Sequence, residues 1–274
     1  MSLSFQIRDT HEQMHGKRKR ESRRQQAPIG QVVGQPLSPL TLSEMNALPS
    51  LPSQSFDAHS NWALHYHIFA SRGHLGSKAN KVMGRLSLTR TASTDVEVVI
   101  AGEQRIAYAV GNERRMIAQV HLSRDASGTP RKWSMSTRFV SRSGTVRDEL
   151  NLDLRGQVHG KTIALSRNGR QSQVPFLGNL CCDWGLIDTL QRNPHDWTNG
   201  NTFAYLEEFQ MLKHNHQLIY GGLSEQAWGE SKIKLHQFHQ LGRGIGPIEY
   251  WLTETGLLVL FTTFSIAYIL DANA

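Results

Sequence analysis

Two stretches of the chain read His-x-His: Leu64-His65-Tyr66-His67-Ile68 and Lys213-His214-Asn215-His216-Gln217. On a strand, residues two apart share a face with Cβ atoms about 6–7 Å apart, a span that two imidazoles close on one metal ion. His65 and His67 alternate with Trp62, Leu64, Tyr66 and Ile68, which places both on the less apolar face. KHNHQ reads as a connection between a helix and a strand, where spacing fixes nothing. A divalent metal on His65 and His67, with His214 or His216 as third ligand, would support hydrolase or lyase chemistry. Such a site also needs outer partners that orient the ligands.

Other catalytic equipment is scarce. No G-x-S-x-G elbow occurs, and the run Leu241-Gly-Arg-Gly-Ile-Gly246 lies between two strands rather than opening a helix, so it reads as a turn. Asp148-Glu149 and Glu207-Glu208 are paired carboxylates, but neighbours in sequence diverge on a strand. Cys181 and Cys182 are adjacent and read as small buried residues, since vicinal cysteines close a disulfide only through a strained ring. No residue pattern implies an organic cofactor.

The elements that must position these residues are strands. From Asn61 onward, segments of six to ten residues alternate apolar with polar, as in Leu86-Leu88, Val96-Val98-Ile100, Ile106-Tyr108-Val110, Met116-Ala118-Val120-Leu122 and Trp133-Met135-Thr137-Phe139. Hairpin signals stand at Ala101-Gly102, Gly111-Asn112, Ser127-Gly128, Ser143-Gly144 and Asn168-Gly169. The rhythm breaks at 183–192, where Trp184, Ile187 and Leu190 fall at helical spacing and Asn193-Pro194 gives a stop. A second helix is predicted over 202–212, because Phe203, Leu206, Phe209 and Leu212 recur every third residue. Strand rhythm then resumes to the end.

This pattern predicts a mainly β fold: one large, curved antiparallel sheet of twelve or thirteen strands, a half-barrel or barrel, with one or two inserted helices on its concave face. Trp184, Ile187, Leu190 and Phe203 then form an apolar surface facing the sheet. Wherever that packing is incomplete, these four residues line a ligand cavity.

Residues 1–60 read differently, as a basic tail and a Pro/Ser-rich linker, and 61–274 as a single β-rich domain. Residues 1–26 carry seven Lys/Arg against three acids, four of the chain's seven net positive charges. Lys17, Arg18, Lys19, Arg20, Arg23 and Arg24 could neutralise phosphates on nucleic acid or an anionic membrane. Phe5 is the nearest aromatic ring for stacking. No apolar segment reaches the length of a transmembrane helix, and Ala27 to Leu51 is too broken by Pro, Gly and Gln to be the apolar part of a signal peptide.

A first strand ending near Ser71-Arg-Gly-His-Leu-Gly76, a meander of hairpins, a helical insert and the closing hairpin YWLTETGLLVLF together resemble the lipoprotein-carrier-like half-barrels and related uncharacterised bacterial domains. The resemblance spans about residues 60–271. It implies an extracytoplasmic protein whose sheet wraps a helical plug. The expected function is non-enzymatic: a binding or envelope-assembly protein holding an apolar small molecule or a partner protein segment on the concave face.

Overall fold

The computed structural model describes residues 36–51, 55–73, 79–92, 94–108, 111–192, 194 and 202–272. Within it the chain forms fifteen strands in a single sheet. The first eight are β1 (Trp62–Ala70), β2 (Lys81–Ala92), β3 (Glu97–Ala107), β4 (Glu113–Ser123), β5 (Pro130–Val140), β6 (Leu152–His159), β7 (Thr162–Arg167) and β8 (Arg170–Pro175). After β9 (Asn179–Cys182) comes helix α2 (Asp183–Arg192), preceded far upstream by the short helix α1 (Pro39–Glu44). The remaining strands are β10 (Thr202–Glu207), β11 (Met211–Trp228), β12 (Ser231–Leu241), β13 (Ile248–Thr253), β14 (Leu258–Thr263) and β15 (Ile266–Leu270).

Edge to edge the order is β8 through β1 in descending sequence, then β15 down to β9. The first and last described strands of the meander, β1 and β15, therefore pair at the middle of the sheet, and the open edges belong to β8 and β9. All described pairs are antiparallel except β9 with β10, which run parallel because α2 lies between them in sequence. The sheet curls without closing.

Alternation sets the inner face. Trp62, Leu64, Tyr66 and Ile68 of β1, Leu86 and Leu88 of β2, and Val98, Ile100 and Ile106 of β3 are all buried. Helix α2 lies against this face, with nine of its ten residues buried. Gly102 makes room for it: a Cβ there would fall 2.6 Å from the Leu88 side chain and 3.1 Å from the Trp184 ring. The sequence pattern treats Ala101-Gly102 as a hairpin turn; it is mid-strand, and β3 runs straight through. The missing side chain serves packing rather than reversal.

Polar anchors fix the helix. Arg90 Nε donates to Asp188 Oδ1 at 2.6 Å, and Arg192 Nε donates to Asp188 Oδ2 at 2.7 Å. Arg90 Nη1 also donates to the carbonyls of His59 (2.9 Å) and Ser60 (2.6 Å). One turn further along the helix, the Leu258 backbone N–H donates to Gln191 Oε1 at 3.1 Å.

The boundary expected at residue 60 does not hold for 36–51. Leu37 and Leu42 are buried, Ser38 caps α1 in a capping box with Thr41, and α1 packs against β11. The Leu37 N–H donates to the Phe264 carbonyl at 2.8 Å, and Trp228 Nε1 donates to the Pro49 carbonyl at 2.7 Å. A Pro/Ser-rich composition hides these few leucines, which find apolar surface already presented by the sheet.

The second predicted helix is also absent. Residues 202–207 are β10, and Leu212 belongs to β11. Phe203, Ala204, Tyr205 and Leu206 are all buried, so both faces of β10 are covered and the two-residue alternation vanishes. KHNHQ lies in the same β11 and is strand, not connection.

Candidate functional site

The four histidines proposed as metal ligands are not brought together. β1 and β11 are separated in the sheet by β15, β14, β13 and β12. His65 Nδ1 lies 2.9 Å from Ser87 Oγ, and His67 Nε2 lies 3.2 Å from Asp271 Oδ2, on the outer face. His216 is fully buried, its Nδ1 3.1 Å from Gln240 Nε2 and its ring 5.0 Å from that of Tyr205. His214 is exposed. Among the described residues no group of three or more His, Cys, Asp or Glu side chains could hold a metal ion. Strand phase explains the outcome: His65 and His67 share a face, but the third ligand they need lies on another strand facing inward.

Nor does His65 build a nucleophile. Ser87 sits between His65 on β1 and Glu103 on β3 in the cross-strand register. In the serine–histidine–acid triad the carboxylate stands behind the histidine, whereas here it stands beyond the serine.

A different constellation forms inside the curl, where α2 begins. Asp183 is the first residue of the helix, a position where the helix dipole favours negative charge. Tyr205 Oη donates to Asp183 Oδ1, and the Glu208 backbone N–H donates to Oδ2 at 2.7 Å. The parallel register of β9 and β10, with Tyr205 opposite Cys181, is what brings that phenol beside the helix start.

The turn after β10 completes the arrangement at some conformational cost. Glu208 and Phe209 have φ of 45° and 58°, and the Gln210 N–H closes the turn on the Glu207 carbonyl at 3.0 Å. Such a two-residue hairpin ordinarily carries Asn-Gly, and left-handed backbone costs other residues about 1–2 kcal/mol each. The offsetting contacts are specific. Phe209 is buried with its ring edge-on to Trp184 at 5.1 Å, its carbonyl accepts from Trp133 Nε1 at 2.9 Å, and Glu208 Oε1 meets Arg114 Nη1 at 2.6 Å.

Between these groups and the facing strands lies a chamber of about 120 Å³. Leu86, Met116, Trp184, Ile187 and Ile248 supply apolar walls; Gln104, Asp183, Tyr205, Glu208 and Thr263 supply polar atoms. Tyr250, Phe261 and Tyr268, on adjacent strands, form a stacked row along one side, with centroids 6.1 and 4.2 Å apart. Gln104 Nε2 donates to Tyr268 Oη at 2.8 Å, and Tyr250 Oη donates to Gln240 Oε1 at 2.7 Å.

Burial dominates the electrostatics. It pushes the Asp183 carboxyl up to about 7, with the Tyr205 hydrogen bond pulling down and the Glu208 and Glu207 charges adding to the rise. Burial also drives the phenols of Tyr205, Tyr250 and Tyr268 above their ordinary value, reinforced by the nearby Asp183 charge. Among the described carboxyls, that of Asp183 is the one raised most strongly.

Of the four residues expected to face a ligand, Trp184 and Ile187 line this chamber. Leu190 is buried elsewhere in the core, and Phe203 packs toward Tyr205 and His216. Glu208 stands out in the sequence only as half of an adjacent carboxylate pair, and Asp183, Tyr205, Tyr250 and Tyr268 do not stand out at all. Gln104 did carry a signal, a polar residue in the apolar phase of β3 between Gly102 and Ile106. The basic run from Lys17 to Arg24 lies outside the described residues.

A larger depression, about 880 Å³, opens on the outer face of β2 to β7 and is lined largely by Ser, Thr, Gln and charged side chains. It is more open to solvent, and its Asp153 carboxyl is held below the usual range by Arg138 at 2.7 Å. The chamber beside Asp183, which is smaller and less open, is the better candidate.

Comparison with known proteins adds little. No family model matches the chain, and no curated protein matches it. Among solved structures, the crystal structure of a beta-barrel-like protein of a domain of unknown function (DUF1849) from Brucella abortus is similar. It shares 9% identity over 76% of this chain and 94% of that one, with a TM-score of 0.49. Its description names a barrel-like shape and no activity. No helix among the described residues is long and apolar enough to cross a membrane.

Proposed function

We propose that the chain is a non-enzymatic binding protein that encloses a small amphiphilic molecule between α2 and the aromatic row of β13 to β15. The observation that carries this reading is one chamber lined both by apolar side chains, Leu86, Met116 and Ile187, and by polar groups, Asp183, Gln104, Tyr205 and Glu208. Enclosed sites with mostly apolar walls and a few placed polar groups are where small molecules bind.

The size narrows the ligand. Helix α2 occupies most of the concave face, and about 120 Å³ remains, against roughly 300–1,000 Å³ for sites that take drug-sized molecules. A whole long-chain lipid is therefore a poor fit. A molecule of a few heavy atoms suits the space, as does the terminal group of a larger molecule or partner segment entering beside Glu208, whose side chain is 38% exposed.

Thermal denaturation in the presence of small amphiphiles tests the reading. A ligand at about 100 times its Kd stabilises by about 2.7 kcal/mol, a rise of several degrees in Tm. Ile187→Phe, which fills the chamber, is expected to abolish the rise. No compound raising the wild-type Tm, or a rise that survives in Ile187→Phe, overturns the proposal.

A further inference from the structure

We propose that the ligand of this chamber is a small organic cation, an alkyl- or arylammonium whose N–H groups donate to Asp183 while its apolar part lies against Leu86, Met116 and Ile187. The inference rests on the reading of the chamber as a binding site and names the class of molecule that fills it.

The charge inventory supplies the argument. Glu208 is paired with Arg114 at 2.6 Å, and Glu207 with Lys213 at 3.4 Å. Among the described residues no cation lies within ion-pair distance of Asp183; its two oxygens meet only the Tyr205 hydroxyl and the Glu208 backbone N–H. A carboxylate accepts about four hydrogen bonds, so acceptor capacity remains on Asp183, which lines the chamber. Asp183 is half-buried at the wall of a partly apolar chamber, where an anion without a counter-cation is favoured to take up a proton or to recruit a positive partner.

The other groups facing Asp183 do not supply that partner. Cys182 of β9, Tyr205 of β10, Tyr250 of β13 and Tyr268 of β15 are held protonated by burial and the neighbouring negative charge. Glu207 and Glu208 add negative potential, which disfavours an anionic guest. An ammonium group brings three donors, enough for Asp183 and for acceptors such as the Gln104 carbonyl and the Tyr268 oxygen, both at the chamber wall.

Proton balance gives the signature. The free carboxyl is half-protonated at about pH 7, and a bound ammonium requires it ionised. Affinity therefore rises with pH and levels off above about 8. At pH 5.5 only about one site in thirty is ionised, so binding is expected to be about 30-fold weaker there than at pH 8.5.

Isothermal titration of the full chain with n-butylammonium, n-butanol and butyrate, at pH 5.5 and 8.5, tests the inference. The expected result is binding of n-butylammonium alone, about 30-fold tighter at pH 8.5, and its loss in Asp183→Asn with circular dichroism unchanged. Butanol or butyrate binding as well as the amine, or Asp183→Asn retaining the amine, overturns the cation while leaving the chamber as a binding site. Should Asp183→Asn fail to fold, a pH-independent affinity in the wild type overturns it equally. If none of the three probes binds and the amphiphile screen also finds nothing, the binding reading itself falls.

Discussion

Arg90 on β2 and Asp188 on α2 meet at 2.6 Å with neither side chain touching solvent. The second carboxylate oxygen is taken by Arg192, so one acid ties together two buried guanidinium groups, one from the sheet and one from the helix. Breaking such a network from one side leaves charge without a partner, which costs more than the network contributes over an apolar alternative. Asp188→Ala is expected to lower the unfolding free energy by about 3–5 kcal/mol in urea titration. A loss below about 1 kcal/mol would mean that the helix is held by apolar packing alone.

Gly102 and Trp184 form the matching apolar contact. A methyl group at 102 would stand 2.6 Å from both the Leu88 side chain and the Ser87 carbonyl. Gly102→Ala should cost about 1–3 kcal/mol through overpacking and alter near-UV circular dichroism as the indole shifts. An unchanged spectrum and midpoint would show that β3 yields without moving the helix.

Asp183 predicts a pH dependence of stability with an unusual sign for an acid. Its folded value of about 7 lies above the ordinary 3.8. Between these values the folded state holds a proton that the unfolded state has released, so stability falls as pH rises through this window, by up to about 1.4 kcal/mol per unit, and is flat above it. Asp183→Asn can keep both contacts, with Oδ1 accepting from the Glu208 N–H and Nδ2 donating to Tyr205. The variant should gain stability relative to wild type between pH 4 and 8; a constant difference would remove the buried-acid argument.

His216 acts in the opposite direction. Burial lowers its affinity for a proton below the ordinary 6.5. The unfolded chain therefore takes up that proton first, and stability is lost as pH falls below about 6.5. His216→Gln is expected to flatten this acid limb in denaturation curves between pH 5 and 7. A limb of unchanged slope would assign the loss to other groups.

Much of the sheet was legible because one face of each meander strand is apolar; β1, β4 and β5 are written in plain alternation, and Asn168-Gly169 marks its hairpin with two left-handed residues. The helix at 183–192 was equally plain. What stayed hidden depends on long-range burial. TFAYLEEFQML looked helical because β10 is buried on both faces, and its following turn carries Glu208-Phe209 where Asn-Gly would have announced it. Since that turn and Tyr205 together make the Asp183 environment, the site could not be assembled once this segment was misread. Local pattern records which face a residue occupies, whereas the pairing of distant strands decides which residues meet there.

The strap of residues 36–51 has a practical meaning for the size of the autonomous folding unit. Trp251, Leu260 and Ile269 form a cross-strand row in register with the outward-facing His67, yet all three are buried. Leu37 and Leu42 are buried in the same core, so a chain trimmed at residue 60, as composition would suggest, exposes the apolar surface on which they pack. The smallest soluble piece therefore begins before Leu37, and trimming past it should be read out as self-association in light scattering rather than as a lost tail.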